Sequence, residues 1–280
     1  MLIMNSKVKI LCCYYKDKDF VPKNDIYIPI QCGKADTKLD LGMLGDDTGD
    51  NISVRNRYWS EITGLYWAWK HLSDFEYFGL CSYRRFFNFN FNRFAPITTI
   101  VQKNQFQEVD SIVIPNIPQV LSKYDIIVPK KYYYAYNLWN VLRMNYYTED
   151  FLVLKEIIHN KYPDYKQAFE ICTKKRNFCY GHNMFIMSKQ NFNKYCNWAF
   201  DILLQAEKEI DPHNYPIDKI RVFGYMHEFL LTLYIYKNKL KVKESQLLWV
   251  TNERTKFNFN SIFYKIAAYC SFFFNKPRSM

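Results

Sequence analysis

Residues 77–87 read Tyr77-Phe-Gly-Leu-Cys-Ser-Tyr-Arg-Arg-Phe-Phe87, and an α/β sheet follows from them. The first five residues are short, apolar and aromatic, the pattern of a strand buried on both faces. Two adjacent arginines, Arg84 and Arg85, then stand where that strand should end. A buried strand has no use for paired guanidinium groups in its middle. They belong at its carboxyl edge, where an open α/β sheet forms its ligand crevice. Arginine offers a planar fork of donors that fits phosphate oxygens, so the pair predicts a phosphate contact. The plainer alternative is a pair of salt bridges to acids on neighbouring loops.

Moving outward, residues 59–72 carry Ile62, Leu65, Tyr66, Trp69 and Leu72 at three- and four-residue steps. This predicts one amphipathic helix, with Glu61 and Thr63 off its apolar stripe and able to reach a site. Residues 8–15 predict the first strand. A strand, a helix and a second strand in this order suggest a βαβ-type sheet. Residues 20–57 read as loop. Their Asp-rich segment 44–53 reads as turn chemistry, with cation or ribose-hydroxyl binding as the alternative. Residues 89–118 show no period and predict an irregular excursion. Further strands are expected at 124–129 and 184–187, and helices across 137–175, from 189 to Asp211-Pro212, and over 217–236. Pro163 is expected to open a helix.

The chain has 280 residues, 38 basic and 27 acidic, a net charge of +11, with 49% hydrophobic and 19% aromatic residues. That composition excludes general disorder. The positive balance suits an anionic partner: nucleotide phosphates, nucleic acid or an acidic membrane surface. The eight cysteines form no C-x-x-C pair, so they read as reduced buried thiols and not as a zinc site or disulfide framework. No signal peptide is expected, and no apolar run reaches the ~20 residues of a spanning helix. Together these predict a cytoplasmic protein. Asp17-Lys18-Asp19 matches a D-x-D triplet, and its place after the first strand reads as a solvated turn. His227-Glu228 is no zinc-protease motif, because Leu231 stands where the second histidine belongs.

Several stretches together resemble an uncharacterised-domain family from bacterial capsule and exopolysaccharide gene clusters, grouped with GT-A glycosyltransferases. They are Phe20-Val-Pro-Lys-Asn-Asp-Ile-Tyr-Ile-Pro-Ile-Gln31, Gly45-Asp-Asp-Thr-Gly-Asp-Asn-Ile-Ser53 and Glu61-Ile-Thr-Gly-Leu-Tyr-Trp-Ala-Trp-Lys70. Gly79-Leu-Cys81, Tyr83-Arg-Arg-Phe86, His182-Asn-Met-Phe185 and Arg221-Val-Phe-Gly224 through Glu228 follow in order. The family's usual histidine before Tyr-Arg-Arg is Ser82 here.

The resemblance implies a GT-A-like, Rossmann-like mixed and mostly parallel sheet flanked by helices. It covers about residues 8–249 and implies a catalytic domain over residues 1–255; a basic, aromatic, amphipathic tail over 256–280 is read from the residues themselves. The implied activity is hexosyl transfer from a nucleotide-diphosphate sugar, uridine-linked, to a lipid-linked glycan acceptor. Arg84 and Arg85 would hold the diphosphate in place of a divalent metal, so no cofactor is expected, with Mg2+ or Mn2+ left open. Glu228 would be the base, or else an exposed helix carboxylate. Tyr14 and Tyr15 would meet base or ribose, or serve as core. Tyr83, Asp46, Asp47, His182 and Asn183 would bind nucleotide or sugar. The tail's apolar steps, Phe257, Phe259, Ile262, Phe263, Ile266, Tyr269, Cys270, Phe273 and Phe274, sit beside Lys256, Lys265, Lys276 and Arg278. They predict a helix lying on an anionic inner membrane face, or else docked on the protein itself. Two rival readings are a nucleic-acid-binding protein, disfavoured by dispersed basic residues and missing motifs, and an inert homologue serving as scaffold.

Overall fold

The computed structural model describes residues 7–16, 21–22, 24–102, 112–251 and 262–274. The first half of the chain forms β1 (Val8–Tyr14), β2 (Tyr27–Gln31), β3 (Leu44–Gly45), α1 (Asn56–Trp59), α2 (Ile62–His71), β4 (Tyr77–Ser82), β5 (Arg85–Phe87), β6 (Thr98–Gln102), α3 (Ile117–Leu121), β7 (Ile126–Pro129) and β8 (Tyr132–Tyr133). The second half adds α4 (Leu138–Asn145), α5 (Thr148–Lys161), α6 (Lys166–Lys174), β9 (Phe178–Cys179), β10 (Phe185–Ser188), α7 (Lys189–Ala206), α8 (Val222–Lys237), β11 (Val242–Ser245), β12 (Leu247–Thr251) and α9 (Ile262–Phe274).

The main sheet runs β11-β7-β10-β4-β1-β2-β3, with β5, β12 and β6 continuing from β4. Strands β1, β2, β3 and β4 are mutually parallel, so Tyr14, Gln31 and Ser82 end on one edge. Strand β10 runs against β4 and β7. Its amino end therefore arrives at the edge where its neighbours finish. The sheet is mixed and mostly parallel, as the sequence predicts. Helices cover it around a core that joins Trp59, Phe78, Phe192, Phe200 and Phe223. A second apolar layer gathers Tyr14, Tyr27, Phe86, Phe87 and Leu247. At the centre, a Cβ on Gly79 would lie 2.9 Å from Ile186 Cγ1 and 3.0 Å from the Phe185 carbonyl oxygen, so only glycine lets β10 approach.

Several expectations need correction. The helix predicted over residues 59–72 is broken: α1 ends at Trp59, and Ser60 takes φ 53 and ψ −139 before α2 begins. Thr63 is not available to a site. It is buried and bonded to Asn56 and the Ser60 carbonyl. Strand β2 lies inside the expected loop. Its Pro29 is tolerated because β3 pairs only with Ile30 and Gln31, leaving proline's missing N–H on an unpaired side. The excursion expected at 89–118 contains β6 and α3, and β6 pairs with β12. Residues 137–175 form three helices, and Pro163 opens a 3-10 turn that leads into α6. The long helix after 189 stops at Ala206, ahead of Asp211-Pro212, and the helix expected from 217 starts at Val222.

All eight cysteines are free and six are buried. Among the described residues, no helix is long and apolar enough to cross a membrane. Helix α9 rests against β8 with Ala268 and Phe272 buried, while Ile266, Phe273 and Phe274 are exposed. The triplet Asp17-Lys18-Asp19 and the tail residues Lys256, Phe257, Phe259, Lys276 and Arg278 lie outside the described residues.

Candidate functional site

The carboxyl ends of β1, β2 and β4 meet below a cavity of about 390 Å3. Two backbone bonds fix those ends past the strands: Cys32 N donates to the Tyr14 carbonyl at 2.7 Å and Tyr83 N to the Cys13 carbonyl at 3.0 Å. Tyr14, Tyr15, Tyr83, Arg84 and Arg85 therefore reach the cavity wall together. Arg57 comes from α1 and Glu61 from the α1–α2 break, and Tyr215, Ile217, Ile220 and Arg221 come from the loop before α8. The position expected to carry histidine, Ser82, also lines it.

After β4 the chain reverses at once. Ser82 pairs with Arg85 across a tight hairpin, and Val250 N donates to the Arg84 carbonyl at 2.9 Å. This turn exposes Arg84, whose guanidinium carbon lies 4.8 Å from the Tyr83 ring centre, and half-buries Arg85, 5.5 Å from that of Trp249. Arg85 Nε is buried with no hydrogen-bond partner. The cavity thus holds four arginines, Arg57, Arg84, Arg85 and Arg221, against one carboxylate, Glu61. Tyr15 meets one of these arginines, Arg221, and the Tyr83 ring. Burial alone would raise its pKa, yet hydrogen bonds with Tyr83 and Arg221, and the positive charge of Arg221, bring it below the usual tyrosine value.

Glu228 does not line this cavity. It lies on α8 within reach of the Arg85 charge, and Oε1 accepts from His182 N at 3.0 Å. Burial and the nearby Glu61 charge push its pKa up to about 7, against the opposing pull of Arg85. An exposed helix carboxylate is therefore not what the structure contains. The His182 ring meets the Tyr132 hydroxyl at 3.0 Å, and Tyr132 meets Thr98 at 3.3 Å. Burial, helped by Arg85, lowers His182 to a pKa of about 3, so it is neutral at physiological pH. Both His182 and Asn183 adopt positive φ, 69 and 53, a conformation in which histidine and asparagine are enriched.

Asn183 is buried and faces inward. Its Nδ2 donates to Glu61 Oε1 at 2.9 Å and to the Gly224 carbonyl at 3.2 Å. The structure thus gives it a carboxylate to hold and no place on the cavity wall. Asp46 and Asp47 do not line the cavity. Asp46 is fully buried and accepts from Gly33 N at 3.0 Å, from Lys34 N at 3.2 Å and from the Ser53 hydroxyl. Asp47 is exposed. Thr48 and Asp50 accept from Trp67 and Tyr66 of α2, so this segment acts as turn chemistry. Asp46→Ala is expected to cost about 2–3 kcal/mol, because it leaves three donors unsatisfied. Chemical denaturation measures this, and an unchanged midpoint would mean other groups hold the turn.

Sequence reasoning assigns no role to Arg57, Tyr215 or Arg221. The last falls inside a quoted motif, whereas nothing in the sequence marks the other two.

A model of the family described as a domain of unknown function, DUF4422, matches residues 9–239. Among solved structures, one titled as the apo form of the WbbM bifunctional glycosyltransferase superposes with a TM-score of 0.78 and 31% identity. The match covers 88% of this chain and 46% of that one, so the chain spans less than half of that protein. No curated protein matches. The likeness bears out the GT-A-like α/β architecture.

Proposed function

Because the chain belongs to the DUF4422 family, whose model spans the whole cavity and every strand of the main sheet except β11 and β12, we propose that it is a glycosyltransferase. It moves a hexose from a nucleotide-diphosphate sugar, uridine-linked, to a hydroxyl of a growing lipid-linked glycan of the capsular, exopolysaccharide or O-antigen kind. The observation that carries this reading is the gathering of Arg57, Arg84, Arg85 and Arg221 around one cavity at the carboxyl edge of the sheet. Similarity to a bifunctional glycosyltransferase supports the class.

In the proposed reaction Glu228 accepts the acceptor hydroxyl's proton. The freed oxygen bonds to the anomeric carbon. The bond from that carbon to the diphosphate oxygen breaks, and its electron pair leaves with the nucleoside diphosphate. A carboxylate whose pKa is about 7 suits the first task. Guanidinium groups aimed at the diphosphate stabilise the charge that develops there. A divalent metal fits this wall poorly: it offers one carboxylate beside four arginines. Among the described residues no group of three metal-ligating side chains occurs.

The test is calorimetry with uridine diphosphate, with and without EDTA. Affinity is expected to stay within about twofold, since arginines and not a metal neutralise the phosphates. A large loss on chelation would sink the metal-free reading, and absence of binding would sink the donor reading itself.

The proposed setting is the inner face of the cell membrane. Helix α9 has 13 residues, or about 20 Å at ~1.5 Å per residue. That is too short for a ~30 Å hydrocarbon core. Its exposed Ile266, Phe273 and Phe274 suit an interfacial position. Deleting residues 257–280 is expected to leave a folded, nucleotide-binding protein that no longer sediments with anionic liposomes. Continued sedimentation would place the contact elsewhere, and a truncated chain that fails to fold would make α9 part of the core.

A further inference from the structure

We propose that Glu61 accepts hydrogen bonds from hydroxyl groups of the donor's sugar, and that Asn183, His227 and Tyr195 form the hydrogen-bonded line that aims it. The proposal rests on the donor reading above. It assigns the sugar-facing side of the cavity to a residue outside the arginine cluster.

The local backbone is built to deliver this side chain. The α1–α2 break sets Ser60 at φ 53 and ψ −139, a region that residues with side chains rarely enter. The surroundings hold it there. Ser60 N donates to the Asn56 carbonyl at 2.7 Å, and the Ser60 carbonyl accepts from Asn56 Nδ2 at 2.7 Å and Thr63 Oγ1 at 3.1 Å. Glu61 follows immediately and stands in the cavity wall.

Its orientation is then fixed from behind. Asn183 uses both Nδ2 hydrogens, on Glu61 Oε1 and on the Gly224 carbonyl. Its Oδ1 can only accept, so His227 Nδ1, at 2.7 Å, must donate. His227 Nε2 then accepts from the Tyr195 hydroxyl at 3.0 Å. Asn183, Tyr195 and His227 are all buried. Burial also lowers the His227 pKa to about 3, so this tautomer persists across the working pH range.

Chemistry selects the ligand. A carboxylate only accepts, and it repels a diphosphate, so its partner in this cavity is a neutral group rich in hydroxyls. Among the described residues, none of the cavity's arginines forms an ion pair with Glu61. A nucleotide sugar carries hydroxyls on its ribose and on its sugar. The neighbouring carboxylate decides between them. Consecutive residues hold the two acids: Asn183 holds Glu61, and the backbone N–H of His182 holds Glu228 at 3.0 Å. The proposed base and Glu61 therefore flank one turn. Glu61 thus stands on the side of the cavity that faces the proposed base, where the sugar undergoing transfer would lie.

The experiment compares uridine diphosphate with UDP-glucose, UDP-galactose and UDP-N-acetylglucosamine by calorimetry, on wild type, Glu61→Gln, Glu61→Asp and Asn183→Ala. Wild type should bind one of the sugars more tightly than the bare diphosphate. Glu61→Gln and Asn183→Ala should lose about tenfold of that sugar-dependent gain, the loss of a hydrogen bond to a charged group, with diphosphate affinity undiminished. Glu61→Asp should restore part of it. A merely structural role for Asn183 would weaken both ligands alike, and that outcome overturns the aiming line. Equal loss for uridine diphosphate puts Glu61 on the ribose and overturns the proposal. Full sugar affinity with lost turnover makes Glu61 the base and overturns it too. Wild type that binds no uridine diphosphate ends the donor reading first, and this one with it.

Discussion

Arg85→Ala is expected to cut donor turnover by about a hundredfold, the loss of one charge-assisted contact to a developing anion, worth ~3 kcal/mol. It should also displace the pH–rate profile, and the direction follows from the site. Burial and the Glu61 charge raise the Glu228 pKa to about 7, while Arg85 pulls it down. Without the guanidinium the His182 N–H bond is the one lowering cause left against burial and Glu61, so the folded pKa climbs further. The proposed base must be deprotonated to act, so activity should fall as pH drops through that pKa. The acid limb of kcat/KM should therefore move to higher pH in Arg85→Ala and disappear in Glu228→Gln. Rates measured from pH 5 to 9 at saturating donor check both. A hundredfold loss with an unmoved acid limb would mean that Arg85 serves the diphosphate alone. Wild-type rates would return Arg85 to a surface role.

Gly79→Val should be the most damaging single change to the fold. The glycine lies between β1 and β10, and its added Cβ would meet Ile186 Cγ1 at 2.9 Å, the Phe185 carbonyl oxygen at 3.0 Å and Ile10 Cγ1 at 3.1 Å. Two of these are branched side chains in a packed interior, and one is backbone that cannot rotate away. Overpacking of this kind costs typically ~1–3 kcal/mol, and with a backbone clash about 3 or more is expected, a Tm loss of roughly 6–12 °C. Gly79→Ala should lose less. Thermal unfolding of the two variants decides it, and a valine variant that melts with the wild type would show that β10 can slide.

Much of the fold is legible where one segment carries its own signal. Strands β1 and β4 are short unbroken apolar runs, and α7 repeats Phe192, Tyr195, Cys196 and Ala199 on one face. Strand β2 escapes because Pro29 argues against a strand and only tertiary context supplies an edge that accepts it. The helix break escapes because Ser60 looks like any helical serine, and its positive φ is imposed by Asn56 and Thr63. Strands β5 and β6 escape because their common partner, β12, lies near residue 250.

The site divides along the same line. Tyr15, Tyr83, Arg84 and Arg85 are readable because they end strands. Glu61 is readable too, because it falls off the apolar stripe of its helix, whereas Arg57 and Arg221 reach the cavity only once α1 and the loop before α8 have packed. Asp46 has the composition of a ligand residue, yet its partners are backbone groups at residues 33 and 34. Nothing local reveals that. The reversed strand brings Asn183 to the right edge, as the sequence suggests, but turns it toward a carboxylate.

The pairing of β12 with β5 and β6 also sets an order of events during synthesis. The amide of Val250 caps the Arg84 carbonyl, and Gln246 bonds Asn88 across a separation of 158 residues. Until the ribosome has released the segment around residue 250, the hairpin carrying the arginine pair has an open flank. At ~5–20 residues per second that interval lasts on the order of ten seconds. Contacts this distant in sequence also slow folding itself. The nascent arginine hairpin thus stays open to chaperones through that interval, and its geometry matures only once β12 has been made.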